Sequence, residues 1–114
     1  MHRTIIWRRK SMDAVFPVDM RAQVLQAMAR GVPLATAMEE RGLPDEVAYG
    51  RARWNEEFRH LLYSALMDGR DPALRHGCPW TYSQYGCRCP ECQATQTGCT
   101  AARRWLEEIT TRAR

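Results

Sequence analysis

Three cysteines fall within six residues, Cys87-Arg88-Cys89-Pro90-Glu91-Cys92, and this run carries the clearest chemistry in the 114-residue sequence. A zinc ion takes four ligands at tetrahedral angles, each thiolate or imidazole just over ~2 Å away. The two residues between Cys89 and Cys92 let the backbone turn around such an ion, and Cys87 adds a third thiolate. His76, eleven residues before Cys87, can close the set. Pro90 stiffens the turn after Cys89, while Gly77 and Gly86 relax the backbone beside ligands. All five cysteines lie between Cys78 and Cys99, and an odd, clustered set favours metal over a disulfide framework. Cys78 or Cys99 could replace His76, and four thiolates would suit an iron–sulfur cluster instead. A catalytic zinc is not expected, because no acid–base partner stands at motif-like spacing. Glu91 reads as a solvated loop charge.

The rest of the composition bounds what these ligands can belong to. Apolar residues make up 45% and charged residues 26%, the balance of one globular domain with a modest core. No apolar run approaches the roughly 20 residues of a spanning helix. The first ten residues hold only Ile5-Ile6-Trp7 as a continuous apolar stretch, too short for a signal peptide, so a cytoplasmic protein is expected. The net charge of +4 permits nucleic-acid binding without demanding it. Of the 17 basic residues only Lys10 is lysine. Arginine is the better bidentate ligand for phosphate and guanine, although GC-rich codon usage produces the same bias.

The elements that must position the ligands are helical. Residues 1–17 read as a basic, partly apolar arm ending at Pro17. A helix fits 18–30, with Asp19 in its first turn, Val24, Leu25 and Met28 at helical spacing, and Gly31 as its stop. A second fits 33–41, with its apolar positions at Leu34, Ala35, Ala37 and Met38 and Gly42 past its end. A third begins at Asp45-Glu46, where the helix dipole favours acids, and runs to about Met67. Val47, Trp54, Phe58, Leu61 and Ala65 form its apolar stripe, and Tyr49, Arg53, Glu56 and His60 its polar face. Asp71-Pro72 breaks the chain. Residues 71–99 form a loop whose stretch from 76 on has no hydrophobic period and cannot bury enough surface to order itself, so something else must hold it, and metal binding would supply that energy. A last helix over 100–112, within the C-terminal segment 100–114, turns Ala102, Trp105, Leu106 and Ile109 inward.

Two resemblances add to this reading. His76-Gly77, then Tyr82 or Tyr85, then Gly86-Cys87-Arg88-Cys89-x-x-Cys92-x-Ala94 resembles a motif of small proteins from actinobacterial phages and their hosts, in outline His-Gly-Thr, Tyr, Gly-Cys-Arg-Cys-x-x-Cys-x-Ala. The resemblance implies His76, Cys87, Cys89 and Cys92 as zinc ligands. This chain departs from it at Cys78, where the motif has Thr, and in its extra Cys99. Residues 20–59 resemble a phage-type helix-turn-helix, through Leu34-Ala-Thr-Ala-Met-Glu-Glu-Arg-Gly42-Leu43-Pro44-Asp-Glu-Val47 and the following Trp54-Asn-Glu-Glu-Phe58. Arg41 stands where an apolar residue is usual.

The expected fold is therefore mainly α: a three-helix, helix-turn-helix-like unit over 18–70, a zinc-binding loop, and a C-terminal helix packed on the core. The expected function is a phage-encoded, zinc-containing DNA-binding protein in transcription regulation, packaging or recombination. Tyr49, Arg51 and Arg53 would face double-stranded DNA, with Arg3, Arg8, Arg9 and Lys10 of the arm, and Arg88, Arg103 and Arg104, on phosphates. Asp45 and Glu46 stand against this, since they would repel phosphates at the helix start. The alternative is a module that inhibits or adapts a host protein through its zinc knuckle and Trp80-Thr81-Tyr82. An enzyme is not expected: no paired carboxylates, nucleophile elbow or phosphate loop can be found.

Overall fold

The computed structural model describes residues 12–112, which are mainly helical. A helical turn at 12–15 leads into α1 (Val18–Ala29), α2 (Leu34–Glu39), α3 (Asp45–Trp54) and α4 (Glu56–Asp68). Two short helices, α5 (Pro79–Tyr85) and α6 (Pro90–Gln93), frame the cysteine run, and α7 (Thr100–Arg112) follows. Among the described residues there is no strand. Prolines open most of these helices: Pro17, Pro33 and Pro44 stand at the N-cap, and Pro79 and Pro90 inside the first turn. The donor each lacks would find no partner there, and its fixed φ suits helix entry.

The core forms where α1 to α4 meet. Val24 and Met28 of α1, Ala37 and Met38 of α2, Ala48 and Ala52 of α3, and Phe58, Leu62 and Ala65 of α4 are all buried together. Gly42, at φ +74°, makes the turn from α2 to α3, with its N–H on Glu39 O and that of Leu43 on Met38 O. Gly69 closes α4 directly against the end of α1. A Cβ added there would lie 1.7 Å from Met28 O, so only glycine permits this approach.

Two expectations about these helices are corrected. The single long third helix is two helices, broken at Asn55 (φ −115°, ψ 101°). The Asn55 side chain accepts the Phe58 N–H at 3.0 Å, and Glu56 and Glu57 follow in the first turn. Arg59 donates back to Ala52 O at 3.0 Å and satisfies a carbonyl at the end of α3. The break rephases the stripe: Phe58 and Ala65 remain buried, but Leu61 is 46% and Trp54 37% exposed. The arm also ends earlier than expected. Phe16 is a core residue, edge-on to Phe58 with ring centroids 5.8 Å apart.

α4 carries a second, smaller cluster on its other side. Tyr63 packs against Trp105 of α7 with centroids 5.6 Å apart, beside buried Ala102. Cys89 and Cys92 are buried as well. The final helix thus lies on α4, with Trp105 inward as its periodicity predicted.

Candidate metal centre and the arginine cleft

His76 lies in the loop between α4 and α5, Cys87 just after α5, Cys89 at the N-cap of α6 and Cys92 within it. Their ligand atoms all lie within 4.8 Å of one another. His76 Nδ1 stands 3.4, 3.6 and 3.5 Å from the sulfurs of Cys87, Cys89 and Cys92. One ring nitrogen has a single lone pair or a single hydrogen, so it cannot hydrogen-bond three sulfurs at once. Coordination of one ion would account for the cluster. Zinc distances of ~2.3 Å to sulfur and ~2.05 Å to nitrogen, at the tetrahedral angle, put nitrogen and sulfur about 3.5 Å apart. These four residues can hold a metal ion, and their spacing is consistent with zinc.

The surroundings fix each ligand. His76 Nε2 lies 2.7 Å from Asp71 O, an acceptor only, so Nε2 carries the hydrogen and Nδ1 offers its lone pair to the site. Backbone N–H groups of Cys89, Cys92 and Gly77 point at the sulfurs of Cys87, Cys89 and Cys92 respectively. Arg70 donates to Cys89 Sγ at 3.5 Å and pairs with Glu91. Glu91, expected as a solvated loop charge, is partly exposed and also anchors Arg70. A divalent ion held by three thiolates would leave one net negative charge, which the Arg70 guanidinium beside Cys89 would offset.

The protein alone does not favour three thiolates here. Burial pushes the Cys92 thiol up to about 12 and raises that of Cys87. At Cys89 burial also pulls upward, but hydrogen bonds from Arg70 and the Cys92 N–H outweigh it and hold this thiol below its ordinary value. A bound cation reverses that penalty for all three. The alternates stay out of the cluster. Cys78 Sγ lies 3.1 Å from Thr81 Oγ1 and 3.5 Å from Arg75 O, while Cys99 lines a cleft elsewhere.

That cleft, about 670 Å³, runs between α3 and the segment from α5 to α7. Tyr49 and Arg53 of α3, Arg88 beside the metal ligands and Arg104 of α7 all line it, as do Tyr82 and Gln93. Tyr49 is half-buried, with its hydroxyl 3.5 Å from Gln93 Nε2, and burial pushes its phenol up to about 12. Arg88 lies over the Tyr82 ring at 3.7 Å and donates to Tyr82 O at 2.9 Å. Arg59, which the sequence did not single out, contributes a further guanidinium.

The other anticipated DNA contacts do not gather there. Arg51 is only 6% exposed, lies 4.8 Å from the centre of the Trp54 ring and pairs with Asp13. Its chain position on α3 turns it into the packing, so it presents no cation to a partner. Arg103 donates to Ala94 O and Gln96 O, each at 3.0 Å, and so clamps the loop after α6. Arg3, Arg8, Arg9 and Lys10 lie outside the described residues. His60 is exposed, as expected of the polar face, and also accepts the Trp105 indole N–H at 3.0 Å. No family model, curated protein or solved structure matches the chain.

Proposed function

We propose that this is a small zinc-containing DNA-binding protein, phage-encoded, serving transcription regulation or a DNA transaction such as packaging or recombination. One observation carries the reading. Side chains from three separate stretches of the chain, Tyr49 with Arg53, Arg88, and Arg104, line a single cleft in which arginines outnumber carboxylates. Four guanidiniums (Arg53, Arg59, Arg88, Arg104) face two acids, Asp45 and Glu46. Such a surface attracts a polyanion. The metal site has a structural part in this: it fixes the loop that carries Arg88 opposite α3. Zinc is the ion that suits three thiolates and one imidazole with no open position. The phage origin rests on the Gly86-Cys87-Arg88-Cys89 motif and the Arg-rich composition.

The test is binding to labelled DNA across a salt series. Affinity should fall steeply, with a log-log slope of about −0.7 to −0.9 per phosphate contacted. Absence of any binding at low salt would remove the reading. A second reading, a module for a host protein, draws on α5, where Trp80 is 63% and Tyr85 62% exposed. Exposed aromatics of this kind are enriched at protein interfaces.

A further inference from the structure

We infer that the cleft receives an unpaired DNA strand, one base and its phosphates at a time, and not the edge of a duplex. The inference rests on the DNA-binding reading and narrows it. A recognition helix must stand proud of its neighbours to enter the major groove, ~12 Å wide, because a helix with its side chains is itself about 10–12 Å across. The Tyr49–Arg53 face of α3 does not stand proud. Gln93 meets the Tyr49 hydroxyl and is itself fixed by donating to Arg88 O at 2.6 Å. Residues 98–101, leading into α7, line the cleft opposite it. This face of α3 is one wall of a cleft.

The wall chemistry suits a single nucleotide strand. The cleft's 670 Å³ falls within the ~300–1,000 Å³ of pockets that enclose small organic ligands. Proteins that hold single strands combine a basic groove with aromatic faces on which bases stack. Here the stacked Arg88–Tyr82 pair supplies a rigid flat surface, held by the Arg88 hydrogen bond to Tyr82 O. Arg53 and Arg104 are exposed, and neither is paired with a carboxylate among the described residues, which leaves their forks for phosphate. Arg59 is tied to Ala52 O and adds fixed positive charge. Asp45 and Glu46, which would repel the backbone of a duplex, can instead accept N–H groups from an unpaired base edge.

The experiment measures fluorescence anisotropy of the full zinc-loaded chain with a labelled single-stranded oligonucleotide and with the duplex of the same sequence, at low salt. The single strand should bind at least about tenfold more tightly, and Arg53→Ala and Arg104→Ala should each weaken it several-fold. Tyr82→Leu should weaken it too. Unchanged metal content and helical signal certify the variants; Arg53 and Arg104 are exposed, so both should fold. Equal or tighter duplex binding would overturn the inference and leave the DNA-binding reading standing. Single-strand binding indifferent to both arginines would also overturn it, since the cleft would not be the site. Failure of both probes to bind would overturn the broader reading itself.

Discussion

The indole N–H of Trp105, on the last helix, donates to Nδ1 of His60 on α4 at 3.0 Å, across 45 residues of sequence. The bond joins the segment that follows the metal site to the helix that carries the main core. Tyr63 backs the same indole, so Trp105 is held on two sides. Chelating the metal should therefore lower the melting temperature of the whole protein in one transition, followed by circular dichroism. Two separate transitions, or a core that melts unchanged, would mean that the halves are independent. Trp105→Ala should cost about 3–5 kcal/mol, and denaturant titration would read it.

The ligand set makes a second prediction. Cys87→Ser, Cys89→Ser, Cys92→Ser and His76→Ala should each abolish retention of one metal ion per chain, whereas Cys78→Ser and Cys99→Ser should keep it. Metal analysis of each purified variant decides this. Loss of metal from Cys78→Ser with retention in His76→Ala would show that the imidazole is not the fourth ligand.

How far these features could be read from the sequence differs by element. Spacing alone brought Cys87, Cys89 and Cys92 together, because ligands two to five residues apart cannot separate far in any fold. His76 needed only a short loop to return. Asn55 was also legible in principle, since Asn followed by Glu56 and Glu57 is a helix-start pattern. A continuous apolar stripe hid it. Arg70 and Glu91 could not be foreseen: their pairing beside Cys89 depends on where α4 ends relative to α6, which is set by tertiary packing. Arg51 failed for the related reason that a helical wheel gives faces but not which face a neighbour covers.

Gly69 offers a third prediction that separates steric from conformational cost. Gly69→Ala forces a methyl to 1.7 Å from Met28 O, a backbone atom, so the ends of α1 and α4 must part, at a cost of about 3 kcal/mol or more. Gly42→Ala meets nothing within 4 Å, and its cost of about 1 kcal/mol comes only from the left-handed backbone at φ +74°. Equal destabilisation of the two, measured by urea unfolding, would contradict the close helix approach.

The pairing of Arg51 with Asp13 gives the last prediction. Arg51 is buried over Trp54 and beside Phe58, with its centre 4.8 and 6.0 Å from their rings, while Asp13 is exposed. The hydrogen bond from Arg51 holds the Asp13 carboxyl below its ordinary 3.8; desolvation opposes it, and the charges of Arg51 and Arg21 add to the lowering. A lowered carboxyl pKa means that the folded state prefers the ionised form. Its contribution to stability is present in full above the ordinary carboxyl pKa and is lost as pH falls through the lowered value. The wild type should then be more stable than Asp13→Asn at neutral pH, and the difference should shrink below about pH 4 and vanish in stronger acid. Melting curves from pH 6 down to 2 test this. Arg51→Ala should likewise lower the melting temperature yet leave nucleic-acid affinity unchanged, the opposite of Arg53→Ala, whose side chain two residues on lies exposed on the other side of α3. If Arg51→Ala instead weakens binding in a fully folded protein, the side chain must leave its site over Trp54 when a ligand arrives.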